Sequence, residues 1–259
     1  MPITTSFDPY TPEVIPPAAT VRPIPGFPTT LIVTFQPRTF AVLLQQYATT
    51  PVTLLELEEP PETPTPLTPG WVHSFTYAGQ TLGAYLSPIG APAAVAVMEK
   101  AIALGTRRFV VFGSCGTLTP DLLPGALLVP SYAYRDEGTS YHYTHARDYL
   151  PLPTAARTAR ILGEIGAPHL VGKVWTTDAF FRETQGNLAK HVAEGCVAVD
   201  METSALAALA SFRSVEMYHF LYAADSLTGD TWDRGVLGTL PAEPRARYLR
   251  IAAEIAVRA

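Results

Sequence analysis

The sequence predicts an α/β fold with a mainly parallel sheet. Apolar runs rich in β-branched and aromatic residues alternate with segments of helical spacing along most of the chain, which is the pattern of a sheet covered by helices. The run at 109–112 is apolar throughout, as in a strand buried on both faces. No linker or internal repeat divides the sequence, so its 259 residues are expected to form one large domain after a proline-rich arm.

The same patterns predict the elements in order. Residues 1–28 are rich in proline and form an extended arm, which wraps the domain or a neighbouring subunit or stays loose; residues 29–259 form the α/β domain. Strands are predicted at 31–35, 52–57, 71–77, 81–86, 109–112, 126–129 with 131–135, 170–175, 197–199 and 215–224. Helices are predicted at 39–47, 93–104, 154–165 and 187–193, after 200–203 through 212, and at 243–257 with Arg245, Arg247 and Arg250 facing outward. Segment 136–153 has no period and is predicted to be a loop.

Composition narrows the function classes. The net charge is −5 and charged residues make up 16%, so the basic stripe of a nucleic-acid surface is not expected. No apolar stretch has the length of a membrane span, and the first 25 residues lack a signal-peptide pattern. Cys115 and Cys196 form neither a disulfide framework nor a metal-ligand spacing, which favours a reduced, cytoplasmic compartment. The low charge also favours some surface buried between subunits.

A glycine-bracketed motif follows the most apolar strand. The predicted strand 109–112 is expected to stop at Gly113-Ser114-Cys115-Gly116. Ligands bind where strands of α/β sheets end, and glycines let the backbone turn and approach a ligand closely. Free N–H groups of such a loop suit an anion or a sugar. The alternative is a tight turn after a core strand.

Carboxylates follow two other predicted strands. Asp200 and Glu202 flank Met201 after strand 197–199, and Asp225 follows strand 215–224. The ends of parallel strands lie on one side of a sheet, so these groups are expected to converge with Ser114. Carboxylate oxygens suit adjacent sugar hydroxyls, and burial raises the pKa of a carboxyl that is to donate a proton. The alternatives are a capped helix with Met201 in the core, and an Asx turn at Asp225.

Weaker candidates lie elsewhere. His142 and His145 have no evident third ligand, so no metal site is expected. Phe180 and Phe181 either stack on a planar base or belong to the core. Four arginines are candidates for an anion clamp or ordinary surface charges: Arg38, Arg107, Arg108 and Arg182.

The order and spacing of these motifs resemble a known family. The matching segments are Ile89-Gly90-Ala91-Pro92-Ala93, Gly113-Ser114-Cys115-Gly116, Val199-Asp200-Met201-Glu202 and Ala224-Asp225, with residues 175–184 where a base-binding segment lies. Together they resemble the nucleoside phosphorylase family, which includes bacterial purine nucleoside phosphorylases, uridine phosphorylases and methylthioadenosine nucleosidases. The resemblance covers roughly residues 31–233 and implies one α/β domain with a central mixed, mostly parallel sheet flanked by helices.

The resemblance also implies an activity and its residues. The family cleaves the N-glycosidic bond of a nucleoside with inorganic phosphate as co-substrate, as a pentosyltransferase of purine salvage, without a metal or other cofactor. By position, Asp225 is the catalytic acid that protonates a purine. Ribose is held by Met201, Glu202 and Ser114; the base by Cys115, Gly116, Phe180 and Asp200; and phosphate by Ser114 and Arg38. A homo-oligomer, dimer or hexamer, is implied, in which a neighbour completes the pocket; neither nucleic acid nor membrane is an expected partner.

Departures from the family pattern leave the acceptor open. Val111 stands where the phosphorylases have an arginine, and Arg38 is displaced by one place in segment 34–39. A phosphate dianion needs several charge-assisted donors. The Gln-x-Arg pair of uridine phosphorylases is absent, and Asp225 favours purines. A nucleosidase that uses water is therefore an alternative to phosphorolysis, and a nucleoside-binding module without turnover is a third.

Overall fold

A computed structural model of the protein describes residues 3–55, 63, 65–229 and 231–259. Ten strands lie in this part of the chain: β1 Thr30–Thr34, β2 Thr50–Leu54, β3 Trp71–Tyr77, β4 Gln80–Leu86, β5 Arg108–Thr117, β6 Leu127–Asp136, β7 Tyr149–Pro151, β8 His169–Thr177, β9 Cys196–Asp200 and β10 Glu216–Ser226. The helices are α1 Pro37–Gln46, α2 Ala91–Ala103, α3 Ala155–Glu164, α4 Gln185–Ala193, α5 Thr203–Phe212 and α6 Ala242–Arg258. The predicted strands and helices are confirmed to within a few residues; the end of the strand predicted at 52–57 lies outside the described residues.

The strands form one mixed sheet that closes partly on itself. Its order is β10-β6-β8-β9-β5-β1-β4-β3-β2, and β10 also pairs with β5. Strands β5, β9, β8, β6 and β10 therefore make a closed ring, from which β1, β4, β3 and β2 extend as an open sheet. The two longest pairings, β5 with β10 and β6 with β8, are parallel, while β3, β7 and others pair antiparallel. This confirms the predicted α/β fold with a central mixed sheet.

Strand β5 belongs to both parts of the sheet. Along one edge it pairs with β10 over its whole length. Along the other edge it pairs with β1 as far as Phe112 and with β9 from Gly116 onward. Between these two partners, residues 113–115 have an edge that no strand of the described chain covers. We call this stretch the split edge, and it marks the place where the open sheet and the ring diverge.

The prediction that this strand stops at Gly113 is wrong. Strand β5 runs through the glycine-bracketed motif to Thr117, and neither glycine has the left-handed backbone that a sharp turn requires. The glycines serve packing instead. A Cβ on Gly116 would lie 2.6 Å from Leu227 Cδ1, and one on Gly113 would lie 3.1 Å from Phe35 Cδ2. Close side-chain approach is the other reason for glycine in a strand, and the sequence does not distinguish the two.

Two groups of helices cover the sheet. Helix α6 packs against α1, α3, β1 and β5, whereas α5 packs against α2, β6 and β10. Between them lies one large core, in which Phe112 and Phe220 stack at 5.1 Å between ring centroids. None of the helices in the described ranges is long and apolar enough to span a bilayer.

The described part of the N-terminal arm packs on the domain. It contains two short 3₁₀ helices, Ile3–Thr5 and Pro17–Thr20. The Phe7 ring contacts His145 and Phe212 edge to face, at 4.8 and 6.1 Å. Glu13 forms an ion pair with Arg213, 2.8 Å between Oε1 and Nη2. These contacts fit the wrapping alternative, while the arm boundary at residue 28 stays a prediction.

Two local predictions are wrong. Arg245 does not face outward: it is 3% exposed, and its guanidinium donates to Leu240 O and Thr39 Oγ1 at 2.9 and 3.0 Å. These acceptors give a buried cation the partners that burial requires, whereas Arg247 and Arg250 are exposed as predicted. Segment 136–153 is not all loop, because it contains β7 and a 3₁₀ helix, Thr139–His142. An edge strand of three residues is too short to show a period.

A buried histidine makes a stability prediction. His73 on β3 is 3% exposed, and neither ring nitrogen has a hydrogen-bond partner among the described residues. Burial lowers its pKa below the usual 6.5, so the unfolded chain takes up a proton that the native state refuses. Native stability is therefore lost as pH falls below about 6.5. We expect His73→Phe to raise the free energy of unfolding by about 1 kcal/mol at neutral pH, and by more in acid.

Urea unfolding at neutral and acidic pH measures both effects. His142→Phe is the control. His142 is exposed, so replacing it removes a histidine without relieving any burial of an imidazole. A wild-type acid dependence that survives unchanged in His73→Phe would contradict this account of the residue.

Candidate active site

One cavity of about 560 Å³ lies beside the split edge of β5. Gly113, Ser114, Cys115 and Gly116 form its floor. The two residues that follow β1, Phe35 and Gln36, also line the cavity. The floor is thus made by a strand held on its other edge by β10, rather than by a loop. Cys115 is buried, and burial raises the pKa of its thiol well above the usual value, so the thiol is protonated at neutral pH.

The segment after β9 forms one wall, with Val199, Asp200, Met201 and Glu202 in the lining. Asp200 is 6% exposed and caps helix α5: its Oδ2 accepts the N–H groups of Glu202 and Thr203 at 3.1 and 2.8 Å. Its Oδ1 accepts from Thr176 Oγ1 at 2.7 Å. The side chain that caps α5 is therefore Asp200, and the Glu202 side chain makes no capping hydrogen bond.

Glu202 points the other way, toward the glycine turn before α2. Its Oε1 accepts the N–H of Gly90 at 2.7 Å, and the side chain is 8% exposed at the cavity wall. Burial, reinforced by the neighbouring charge of Asp200, raises the pKa of Glu202 to about 8. Of the alternative, the capped helix is confirmed, with Asp200 as the capping residue, whereas its placement of Met201 in the core is wrong, since Met201 and Glu202 both line the cavity.

Asp225 enters the cavity because of a β-bulge. The register of β10 against β5 slips by one residue between Ala223 and Asp225, which places Asp225 beside Gly116. A bulge re-aims the side chain that follows it. The Asx-turn alternative is wrong: the Leu227 N–H that such a turn would use donates to Thr117 O at 3.0 Å. Burial raises the pKa of Asp225, as predicted.

Trp232 orients the Asp225 carboxyl. A bridge between Ser226 and Asp233 folds the chain back beside the end of β10, which brings the indole within reach. Trp232 Nε1 donates to Asp225 Oδ2 at 2.8 Å. The indole N–H is only a donor, so Oδ2 accepts; because the carbonyl oxygen of a carboxylic acid is its better acceptor, this contact favours Oδ1 as the site of a proton. Oδ1 lies on the Gly116 side, 3.5 Å from the point where a Cβ on that glycine would stand.

An exposed rim of the cavity is formed by Phe180 and Phe181 of the 3₁₀ helix Phe180–Arg182 and by Glu183 after it. Phe180 and Phe181 line the cavity with ring centroids 4.1 Å apart, and they are 51% and 88% exposed. They are rim residues, so the core alternative for this pair is wrong. Glu183 follows them into the lining, half-buried.

The cavity is acidic. Four carboxyl side chains line it: Glu183, Asp200, Glu202 and Asp225. No lysine or arginine is among the lining residues in the described part of the chain. The lining does include one histidine, His219, in the described part of the chain. It is 3% exposed, and burial lowers its pKa, so the imidazole is neutral at pH 7. Its Nδ1 donates to Val111 O at 2.9 Å.

The structure thus gathers most of the predicted site residues. Ser114, Cys115, Gly116, Phe180, Asp200, Met201, Glu202 and Asp225 all line the one cavity. The expected reason for this convergence, a common row of parallel strand ends, holds for β5 and β10. It is wrong for β9, which runs antiparallel to β5 and meets it beyond the split edge. The roles of these residues stay predictions.

Other candidates lie elsewhere. Arg38 is outside the lining, and its Nη1 donates to Gly238 O at 2.9 Å; a phosphate role for it stays a prediction. His142 and His145 also lie outside. In the ranges that the structure describes, no group of three or more His, Cys, Asp or Glu side chains is arranged to hold a metal ion.

The sequence analysis assigns no role to four polar lining residues, Gln36, Glu183, His219 and Trp232. Glu183 and Trp232 belong to no recognisable motif. His219 does carry a signal: it is a basic residue in the middle of the apolar run 215–224, and a polar residue in a buried strand needs a partner or a function.

Comparisons with known proteins identify the family. A family model described as the phosphorylase superfamily matches residues 30–250. The purine nucleoside phosphorylase DeoD-type of Caldanaerobacter subterraneus subsp. tengcongensis is 26% identical over 166 residues, which cover 61% of this chain and 72% of that protein. The guanosine phosphorylase of Halorubrum lacusprofundi is 28% identical over 138 residues, covering 52% and 57%.

A solved structure extends the likeness to the fold. The purine nucleoside phosphorylase from Toxoplasma gondii, in complex with immucillin-H, matches with a TM-score of 0.72 over 89% of this chain and 91% of that one. The two share 19% sequence identity, so this likeness concerns the fold. The family model spans most of the chain, and the protein therefore belongs to the phosphorylase superfamily.

Proposed function

We propose that this protein cleaves the N-glycosidic bond of a purine nucleoside. The observation that carries the proposal is that Ser114, Glu202 and Asp225, from three distant parts of the sequence, line one cavity. Its volume of about 560 Å³ is in the range of small-molecule sites. The names of the relatives, purine nucleoside phosphorylase and guanosine phosphorylase, support a purine substrate.

In this proposal Glu202 and Met201 hold the ribose. The Gly90 N–H fixes the Glu202 carboxyl at the cavity wall, where the carboxyl is proposed to accept hydrogen bonds from sugar hydroxyls. Positive charge develops on the sugar as the bond breaks, and a carboxylate placed beforehand stabilises that charge more than it stabilises the ground state. Ser114 adds a hydroxyl from the floor on the sugar side.

Asp225 is the proposed acid. Trp232 holds Oδ2, which leaves Oδ1, on the Gly116 side, as the oxygen proposed to donate the proton. Protonation of the purine five-membered ring lets the base leave as a neutral molecule while the bonding electrons stay with it. Phe180 lies at the rim and Cys115 and Gly116 in the floor, where they are proposed to contact the planar base, with Asp200 behind them.

The sugar can be transferred to one of two acceptors, phosphate or water. Phosphate is the acceptor that the names of the relatives support, and it would make the protein a nucleoside phosphorylase. Water is the second candidate, and one observation favours it: no lysine or arginine of the described chain lines the cavity, while four carboxyls do. Binding a dianion there without cations would be costly. Phosphorolysis would then need cations from a second copy in the proposed homo-oligomer.

A nucleoside panel with and without phosphate tests the function. We expect release of purine bases from the wild-type protein, and, because of the acidic lining, a rate that changes by less than about twofold when phosphate is removed. Free base is measured by chromatography in phosphate-free buffer, with inorganic phosphate added back as the matched arm. Strict dependence on phosphate would contradict hydrolysis and support phosphorolysis. Binding of nucleosides without any base release would contradict both enzymes and leave a binding module.

A further inference from the structure

Trp232 lies on a segment that is fastened to the end of β10. Ser226 and Asp233 exchange both backbone hydrogen bonds, at 2.8 and 3.0 Å. Gly235 has a left-handed φ of +49°, and a Cβ on it would lie 2.5 Å from Ala224 O, so the chain passes very close to the strand there. These contacts fix the backbone on which the Trp232 side chain stands.

The indole of Trp232 adds little to the fold. The residue is 59% exposed, and it belongs to neither hydrophobic cluster of the described residues. Its Nε1 donates to Asp225 Oδ2 at 2.8 Å, at the wall of the cavity. An exposed hydrogen bond competes with water and contributes little to the free energy of unfolding. The consequence of this contact therefore lies in the cavity rather than in stability.

The strength of this hydrogen bond depends on the charge of Asp225. A hydrogen bond to a carboxylate is shorter and about twice as strong as one to a neutral acceptor. Once the Asp225 proton has left, both carboxyl oxygens share the negative charge, and the same N–H stabilises that charge. An interaction that strengthens as the reaction proceeds lowers the barrier.

The electrostatic surroundings of Asp225 leave this task to the indole. Burial and the charge of Asp233 raise the pKa of Asp225, whereas the Trp232 N–H lowers it. No lysine or arginine of the described chain lines the cavity to offset the charge of the carboxylate. The other ionisable groups in the lining are Cys115, Glu183, Asp200, Glu202 and His219.

We propose that Trp232 is a positioning residue that stabilises the carboxylate of Asp225 as the proton passes from Oδ1 to the departing base. The inference rests on the proposed function and deepens it. As the bond between the anomeric carbon and the base breaks, its electron pair stays with the base, and the base takes the proton. The electron pair of the O–H bond stays on the carboxyl. The acceptor bonds to the sugar carbon and gives up a proton, which balances the proton that Asp225 regains from solvent.

Trp232→Phe removes the N–H donor and keeps an aromatic ring. We expect kcat for an ordinary purine nucleoside to fall by about tenfold at pH values where Asp225 is protonated in both proteins, with KM within about twofold. At higher pH the loss should shrink, because Asp225 without its donor keeps the proton longer and the alkaline limb of the kcat profile moves upward. The ratio of the two rates cancels titrations that both proteins share, such as that of Glu202.

Two further measurements show whether Trp232 acts through Asp225. A nucleoside of an N7-methylated purine already carries a positive charge and needs no proton, so Trp232→Phe should leave its kcat within about twofold. In the Asp225→Asn background the same substitution should also change kcat by less than about twofold, because an amide never gains the charge that the indole stabilises. Losses that multiply in the double variant, or an equal loss for the methylated substrate, overturn the proposal.

Trp71→Phe is the matched control. Trp71 on β3 is outside the cavity lining, and its Nε1 has no hydrogen-bond partner among the described residues, so kcat should stay unchanged at every pH. Circular dichroism melting of all variants checks the fold. An unchanged kcat in Trp232→Phe overturns the proposal, and so does a raised KM alone, which would make Trp232 a substrate contact. Absence of base release from wild type would instead refute the proposed function itself, so the two failures are distinguishable.

Discussion

Replacing Asp225 with asparagine should slow release of an ordinary purine base by about 10²- to 10⁴-fold, the usual contribution of a general acid. The amide has nearly the shape of the carboxyl and still accepts from Trp232 through its oxygen, so the loss reports the missing proton. The amide N–H₂ then takes the place of Oδ1 on the Gly116 side, and it is not acidic enough to transfer a proton to the base. Spectrophotometric or chromatographic release of free base at saturating nucleoside measures the effect as kcat.

A substrate that needs no proton is the sharpest control for this variant. A nucleoside of an N7-methylated purine carries its positive charge already, and the base leaves as a neutral molecule without an acid. We expect its kcat in Asp225→Asn to stay within about threefold of wild type. Equal losses for both substrates would mean that Asp225 supports the shape of the cavity instead of donating a proton, and unchanged rates for both would remove it from the mechanism.

Replacing Glu202 with alanine should lower turnover by at least about tenfold, the scale expected when a contact to the transition state is lost. The Glu202 carboxyl is 8% exposed, bonded to Gly90, and has a pKa of about 8. The Glu202 carboxyl is therefore largely protonated at neutral pH before a substrate binds. A positive sugar favours the ionised form, so the interaction strengthens as the bond breaks and the loss should appear in kcat.

Glu202→Gln separates this electrostatic role from support of the Gly90 turn. Glutamine still offers an oxygen to the Gly90 N–H but never carries charge, so its kcat should stay close to that of the alanine variant while its melting temperature stays close to that of wild type. A glutamine variant with near-normal turnover would contradict the role of Glu202 at the ribose.

The sequence predicted the fold better than the geometry of the site. Apolar runs and helical spacing placed strands and helices because both depend on local patterns that the chain displays directly. The course of β5 depends on what packs against it: Gly113 and Gly116 make room for Phe35, Leu227 and Val199, and these neighbours are distant in sequence. A glycine pair looks the same whether it makes a turn or a close contact.

Among the site residues, too, those marked by a local sequence pattern were predicted, and those that depend on contacts distant in sequence were missed. Glu202 and Asp225 were predicted because each follows an apolar run and belongs to a motif with family spacing. Trp232 was missed because its importance arises from its hydrogen bond to Asp225, which a β-bulge places beside Gly116. A one-residue slip in register leaves no mark in composition or periodicity. Arg245 was misplaced for a similar reason, since its acceptors are the Leu240 carbonyl and the Thr39 hydroxyl.

Because the split edge of β5 is already fixed, the residues that lose conformational freedom when a ligand binds are those of the rim. Residues 113–115 are fixed by β10 along one side and by β1 and β9 at either end, so the floor has little backbone freedom to lose. The rim at Phe180 and Phe181 is exposed, and its side chains lose rotamer entropy when they cover a base. Selectivity among purines is therefore open to adjustment by substitutions at the rim, while changes in the floor disturb the sheet itself.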